Sequence, residues 1–320
     1  MNNATKTWLI IASILVITGI IIFSVAMSLN KWNLGNLNTN KYVTNTYEIN
    51  DDFSDITLET DTADIIVIPS DDNNCKVVCY EPETARHSVY VKDDLLTIKV
   101  NDQRKWYNYI GIAWTAPKIT IYLPKTEYNS LFLKTDTGKV EIPQDFKFEN
   151  ADIEVTTGNV IFHASASDDI KIQSSTGSIS VENITANTME LTSTTGNITI
   201  NSVECGNDIK LKVSTGKTKV KNVSCNNFSS DGSTGHLSLE DLIATGKIYI
   251  KRSTGSASLE KCDASEIYVK TSTGNISGSL LSEKIFITET STGNISVPKT
   301  TTGGKCELIT TTGSIKITLD

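Results

Sequence analysis

Histidine, aromatic side chains and surplus basic charge are all scarce in this sequence. Its 320 residues include three histidines, His87, His163 and His236. No two share a position in the repeat described below, so neither a histidine-built metal site nor a catalytic triad is indicated, and all three read as surface residues. Lys and Arg number 29 against 37 Asp and Glu, a formal net charge of -8, which leaves no basic face for nucleic acid. A phosphate-binding Gly-rich loop is lacking, as is the Gly-Gly-x-Gly-x-Asp ladder of calcium-binding β-helices. The acidic pairs Asp51-Asp52 and Asp168-Asp169 are adjacent, and adjacent residues on a strand point to opposite faces. They read as turn residues, not as the convergent carboxylates a glycosidase needs. The reading therefore carries no catalytic residue, no cofactor and no metal.

One long apolar run is present. Trp8 to Leu29 is 22 residues without a charge, about 33 Å as a helix and enough to cross a bilayer. Lys6 and Lys31 flank it evenly, so charge barely sets its orientation. Residues 1–30 read as an uncleaved signal anchor, with a signal peptide cut near Ser24 and Ala26 as the alternative. Either way the remaining chain is expected outside the cytoplasm, held to the cell membrane through residues 8–29. The opposite topology is the other option that the weak charge bias leaves open.

Most of the rest repeats. Thr-Gly recurs at Gly138, Gly158, Gly177, Gly196, Gly216, Gly235, Gly255, Gly274, Gly293 and Gly313, at intervals of 19 or 20. Seven residues before each glycine all ten positions are apolar. Five before, only Ser230 and Thr288 are not aliphatic. Two after, Thr218 stands out, and four after, Gly278 does. This period-two alternation predicts two short strands per repeat, joined by a turn on Ser/Thr-Thr-Gly in which glycine supplies positive φ. An apolar residue seven after Gly in six repeats (Ile184, Val203, Val223, Leu242, Cys262, Leu281) reads as a second corner closing the coil. A coil this short cannot bury its own apolar face, but stacked coils can. A sandwich or propeller would vary its loop lengths, whereas a fixed Thr-Gly phase is what a solenoid needs. The fold class is therefore all-β: a single-stranded β-solenoid, or β-helix, of about ten 19–20-residue coils over residues 131–320, roughly 45 Å long at the usual strand spacing.

Before the rod, residues 31–46 read as a polar stalk and residues 47–130 as an N-terminal β cap with a degenerate first coil, in which Ala63 stands where Gly would. The stretches "CKVVCY", "SVYVKDDLLTIKV" and "PKITIYLP" read as antiparallel strands, with a hairpin turn at Asp93-Asp94. At the other end, Asp320 follows directly on the last predicted strand. An open C-terminal coil of this kind predicts edge-to-edge self-association.

Cys205 and Cys225 each stand nine residues past a repeat glycine, so equal phase makes them a candidate disulfide between adjacent coils. Cys262 and Cys306 are in core phase and read as small apolar fillers. Two surfaces could meet a partner. Tyr249, Tyr268 and Ile287 fall at one outward phase of successive repeats, as a binding stripe or as a stacking ladder that stiffens the sheet. The segment "KWYNYIGIAW" places Trp106, Tyr107, Tyr109 and Trp114 ahead of the rod, to dock on a membrane or partner or to pack under the cap.

The "TGNI" at Gly196, Gly274 and Gly293, the "TGSI" at Gly177 and Gly313, and the "ITIYLP" leading into the rod resemble the bacterial "putative adhesin" envelope proteins of β-strand repeats, and are similar to the head GIN domain proteins. The resemblance covers about residues 45–320 and implies a β-solenoid in the cell envelope. That family has no agreed catalytic residues, and some members lie beside envelope-stress signalling genes. The expected function is a non-enzymatic, membrane-anchored extracytoplasmic adhesin or scaffold contacting an envelope protein or a glycan. The alternatives are a polysaccharide-acting β-helix enzyme and an accessory protein of envelope-stress signalling. An enzyme would gather two carboxylates in one lateral groove. A binding module would present an aromatic or flat polar face.

Overall fold

The computed structural model describes residues 2–29, 31–32, 41–71, 74–103 and 115–320. The apolar run forms a helix, Asn3–Leu29, and is the one helix among the described residues long and apolar enough to cross a membrane. The rest of the described chain is a β-solenoid of two 14-stranded sheets in which nearly all neighbouring strands run parallel. Equal repeat phases pair across coils: Ile170 with Met189, Ile172 with Leu191, Thr176 with Thr195. Positions seven and five before Gly, and two and four after it, point inward into one continuous core that runs from Ile56 to Ile317. Each fully buried Ile, Leu or Val contributes about 1.5–3 kcal/mol against the entropy of ordering its coil.

Both corners have a backbone reason. At the Thr-Gly turn, the glycines of all ten repeats have φ between +133° and +154°. A Cβ on Gly196 would lie 1.9 Å from the carbonyl oxygen of Gly177 in the coil before, and the same clash recurs along the column. The close approach serves a hydrogen-bond ladder: Gly158 N–H donates to the Thr176 carbonyl (2.8 Å), Gly177 to Thr195 (2.9 Å) and Gly196 to Thr215 (2.9 Å). The second corner lies one residue earlier than its apolar marker. Asn183, Ser202, Asn222, Asp241 and Lys261, six past Gly, take φ of 51° to 56°, and short polar side chains tolerate that region. The next coil lacks this residue, so the register slips and Leu280 pairs with Cys262. Leu281, expected inside, is exposed and Leu280 is buried in its place.

A third inward column, three residues before Gly, is largely hydroxylic. Thr135, Ser174, Ser193, Thr271 and Thr310 are all buried. The hydroxyls of Ser174, Ser193, Thr271 and Thr310 donate to carbonyls of the glycine column, as Ser174 does to Gly158 O at 3.3 Å and Thr310 to Gly274 O at 2.9 Å.

Spatial order departs from chain order at both ends. The C-terminal coil, Gly304–Thr312 and Ile315–Leu319, is inserted between the Gly274 coil and the coil of Lys284–Thr292 and Ile295–Ser296. The hydrogen-bond ladder follows this path, with Gly274 N–H donating to Thr312 O and Gly313 N–H to Thr292 O. The expectation of an open C-terminal coil is thereby corrected: that coil is paired on both edges, and the rod's outer edge is Lys284–Ser296. Two coils with the same Ser-Thr-Gly-Asn-Ile edge can each dock on the same neighbour, so sequence alone does not order them.

The amino-terminal end repeats the device. Asp55–Thr62 and Asp64–Pro69 form a coil in register with the Gly138 coil on one side. On the other side they pair in parallel with Leu95–Asp102 and Lys118–Leu123. The strand Lys118–Leu123 is thus antiparallel to Cys75–Pro82 on one edge, as expected, and parallel to Asp64–Pro69 on the other. Antiparallel strands Tyr42–Ile49, Cys75–Pro82 and Ala85–Lys92 finish the end, and Asp93 and Asp94, both at positive φ, turn the hairpin.

The insertion predicts a cross-linking pattern. Cysteines replacing Tyr268 and Glu307, which are register partners, will form a disulfide because facing Cα atoms lie about 4.8 Å apart. Cysteines replacing Tyr268 and Ile287 are separated by a coil and will not. Non-reducing mass spectrometry of the two double variants reads the difference, and the reverse result would restore chain order.

Candidate functional site

The rod offers two kinds of polar constellation: grooves on its lateral faces, and a buried cluster at its amino-terminal end. One groove, about 500 Å³, runs over four coils. It lies between residues four and two positions before Gly. Lys212, Lys251 and Lys270 line it against a single carboxylate, Asp231, and Ser214, Ser233, Ser253 and Ser272 supply a row of outward hydroxyls. Lys212 also bridges to Glu190 on the adjoining coil at 2.9 Å.

Beneath this groove lies Arg252, buried in the hydroxylic column. Its Nη2 donates to Ser230 Oγ (2.7 Å) and Thr218 Oγ1 (3.2 Å). Nε and Nη1 have no partner among the described residues, and desolvation holds the guanidinium below its ordinary pKa. A Cβ at Gly232 would fall 1.5 Å from Nη1, so the missing side chain there makes the room. Three departures from the repeat, Thr218, Ser230 and Gly232, are thus one adjustment to a single buried cation. A buried charge without a carboxylate is costly, and each hydroxyl offsets part of that cost.

Beside the groove, Tyr249 and Tyr268 stack with ring centroids 5.0 Å apart and an interplanar angle of 12°. Both are half-buried. A smaller hollow of about 160 Å³ is lined by this pair with Lys247, Glu266, Lys305 and Glu307. The stripe expected through Ile287 is interrupted, because the inserted coil places Glu307 between Tyr268 and Ile287. Trp106, Tyr107, Tyr109 and Trp114 lie outside the described residues.

Carboxylates on these faces are mostly paired across coils. Lys134 meets Glu154 at 3.0 Å, Lys171 meets Asp152 at 3.1 Å, and Lys247 meets Glu266 at 2.8 Å. Such solvent-screened pairs add little to stability. Hydrogen bonds from Lys212, Lys221 and Lys247 hold Glu190, Glu240 and Glu266, respectively, below the usual carboxylate range. For Asp263, burial opposes ionisation, but bonds from Lys284 and Ser282 outweigh it. Glu127 and Glu149 do share one hollow of about 350 Å³, with Lys147 between the strands and 3.4 Å from Glu127.

The buried cluster overturns the surface reading of His87, which is 4% exposed. Its Nδ1 lies 2.5 Å from Glu81 Oε2 and its Nε2 lies 2.8 Å from Thr60 Oγ1. Asn45 Nδ2 donates to Glu81 Oε1 (2.6 Å), the His87 backbone N–H donates to Oε2 (2.8 Å), and Tyr47 donates to the His87 carbonyl (2.7 Å). The hydroxyl–imidazole–carboxylate order resembles a hydrolytic triad, but Thr60 is only 6% exposed and belongs to the inward hydroxylic column. The signal available in the sequence was Cys79-x-Glu81, two residues on one strand face, followed by His87 on the next strand. His163 is half-buried, and His236 is exposed, its Nδ1 accepting from Ser256 N–H at 3.2 Å.

All six cysteines are buried and free. Cys205 and Cys225 occupy one phase of neighbouring coils, next to the paired Glu204 and Ser224. The Cys205 thiol donates to Asn187 O at 3.1 Å. Burial pushes the thiols of Cys75, Cys79, Cys225, Cys262 and Cys306 up to about 12.

A parallel β-solenoid with polar, hydroxyl-rich faces is the class these features define. Residues 53–210 match the family model Toastrack DUF4097. Among curated proteins none matches this sequence. The fold is similar to that of a "putative adhesin" from Bacteroides fragilis NCTC 9343 (15% identity, 88% of this chain and 97% of that one, TM-score 0.42). It is also similar to a "putative lipid binding protein" from Parabacteroides distasonis ATCC 8503 (15% identity, 87% and 98%, TM-score 0.49).

Thiol chemistry provides a direct check on the cysteines. A thiol near 12 is protonated at pH 8, so the native protein will resist a maleimide, while the unfolded protein will expose six thiols. Four thiols after unfolding would mean that Cys205 and Cys225 had bridged.

Proposed function

We propose that this protein is a non-enzymatic rod of the cell envelope, anchored in the membrane by its Asn3–Leu29 helix, that adheres to a glycan through one lateral face. The observation that carries the reading is the continuity of the stacked Tyr249–Tyr268 pair with the lysine–serine groove beside it. Flat aromatic rings are platforms for sugar faces, serine hydroxyls are hydrogen-bond partners for sugar hydroxyls, and the three lysines favour an acidic polymer. A linear chain laid along the rod would meet the same groups every coil. The lipid-binding description of the Parabacteroides relative is compatible with a ligand at an envelope surface, and the adhesin descriptions with a contact role.

The enzyme alternative has weaker support. A glycosidase acid must hold a proton near neutrality, whereas Glu190, Glu240, Asp263 and Glu266 are all held toward the ionised form. For the envelope-stress alternative no residue in the rod supplies a specific argument.

Retention of the detergent-solubilised full chain on isolated envelope polysaccharide tests the proposal. The double variant Tyr249→Ser with Tyr268→Ser should lose retention at least about tenfold, since each stacked ring contributes roughly 0.5–1.5 kcal/mol beyond its area. Undiminished retention in the folded variant would remove this face from the account.

A further inference from the structure

We infer that Cys79, Glu81 and His87 form a binding site for one divalent transition-metal ion of the zinc class. One atom from each side chain, the Cys79 sulfur, a Glu81 oxygen and a His87 ring nitrogen, lies within 4.8 Å of the other two, and all three residues are buried. The placement follows from the chain path. Cys79 and Glu81 alternate on Cys75–Pro82, so they share the inward face. The chain then crosses from one sheet to the other, and Ala85–Lys92 returns with His87 inward against them.

The outer contacts are those of a metal site. Thr60 Oγ1 engages His87 Nε2, which fixes the ring and turns Nδ1 toward Glu81 and Cys79. Asn45 occupies the far oxygen of Glu81, leaving Oε2 on the near side. The Cys79 thiol has no hydrogen-bond partner among the described residues. The remaining valences therefore converge on one point.

The donor set is mixed: one sulfur, one imidazole nitrogen and one carboxylate oxygen. That combination suits zinc, not calcium or magnesium, which take oxygen alone. Three protein donors leave a fourth tetrahedral position for a water molecule. Ligand bonds of about 2.0–2.3 Å would put donor atoms about 3.3 Å or more apart. The 2.5 Å contact of Nδ1 with Oε2 must open by less than about 1 Å, within reach of a small side-chain rotation. On binding, the ion displaces the thiol proton, and the imidazole carries its proton on Nε2, donating to Thr60 Oγ1, so that Nδ1 is free to ligate. The bound ion would tie the hairpin strands to the first coil through Thr60, closing the amino-terminal end of the rod.

The test uses the full chain in detergent, stripped with a chelator and titrated with Zn2+ or Co2+. Calorimetry should give one ion per chain with a dissociation constant below about 1 µM, and unfolding should shift upward by several degrees at saturating Zn2+. Co2+ should give a thiolate-to-metal charge-transfer band that persists in Cys75→Ala and vanishes in Cys79→Ala. The conservative variant His87→Gln should weaken Zn2+ binding at least about tenfold. Absence of stoichiometric Zn2+ binding by the folded wild type would overturn the inference. So would a charge-transfer band unchanged in folded Cys79→Ala.

Discussion

The structure depends on how closely one coil can approach the next at the Thr-Gly turn. A backbone N–H in each coil must reach the threonine carbonyl of its neighbour, and it does so at 2.8–2.9 Å along the column. That approach brings each glycine against the preceding glycine's carbonyl, at a place where a Cβ would sit about 2 Å from oxygen. The φ of 51° to 56° at the second corner admits Asn or Asp, but the glycines' φ of +133° to +154° does not. Neither does the close contact. Glycine is thus required twice over, by conformation and by space, and the invariance of the turn follows.

That constraint explains which features could be read from the sequence. Inward residues such as Ile172, Leu191 and Ile198 announce themselves by period two measured from the nearest glycine, because a strand's geometry maps spacing directly onto a face. Coil order is a different kind of information. The Gly274 coil presents a threonine, a glycine and a small polar residue at fixed heights, and so do the Gly293 and Gly313 coils. Which of them docks is decided by loop length and end packing, neither of which has a periodic signature. The insertion of the C-terminal coil, and of Asp55–Pro69 between the Gly138 coil and the strands Leu95–Asp102 and Lys118–Leu123, was therefore not legible. The interrupted tyrosine stripe is one consequence.

The buried polar groups were hidden for a related reason. Thr218 and Ser230 look like independent lapses in an apolar pattern and Gly232 like a gap in the hydroxylic column, yet all three accommodate one side chain, Arg252. His87 sits in a region without repeat phase, so its burial against Glu81 and Thr60 depends on a sheet-to-sheet crossing that no local pattern encodes. By contrast, the Tyr249–Tyr268 contact was visible, since equal phase in adjacent coils requires stacking. A solenoid thus exposes its core rule to the reader of its sequence and conceals its exceptions. In this chain the candidate functional groups are concentrated in those exceptions and in the outward positions the rule leaves free.

The most direct test of the stacked-turn account compares two glycines of the same rod. Gly196 lies in the ladder with φ +154°, and Gly206 lies outside it, where an added Cβ would meet nothing closer than 3.3 Å. Equilibrium denaturation of Gly196→Ala and Gly206→Ala measures both. The account predicts a loss of roughly 3 kcal/mol or more for Gly196→Ala and less than about 1 kcal/mol for Gly206→Ala. Equal, small effects at the two positions would contradict it.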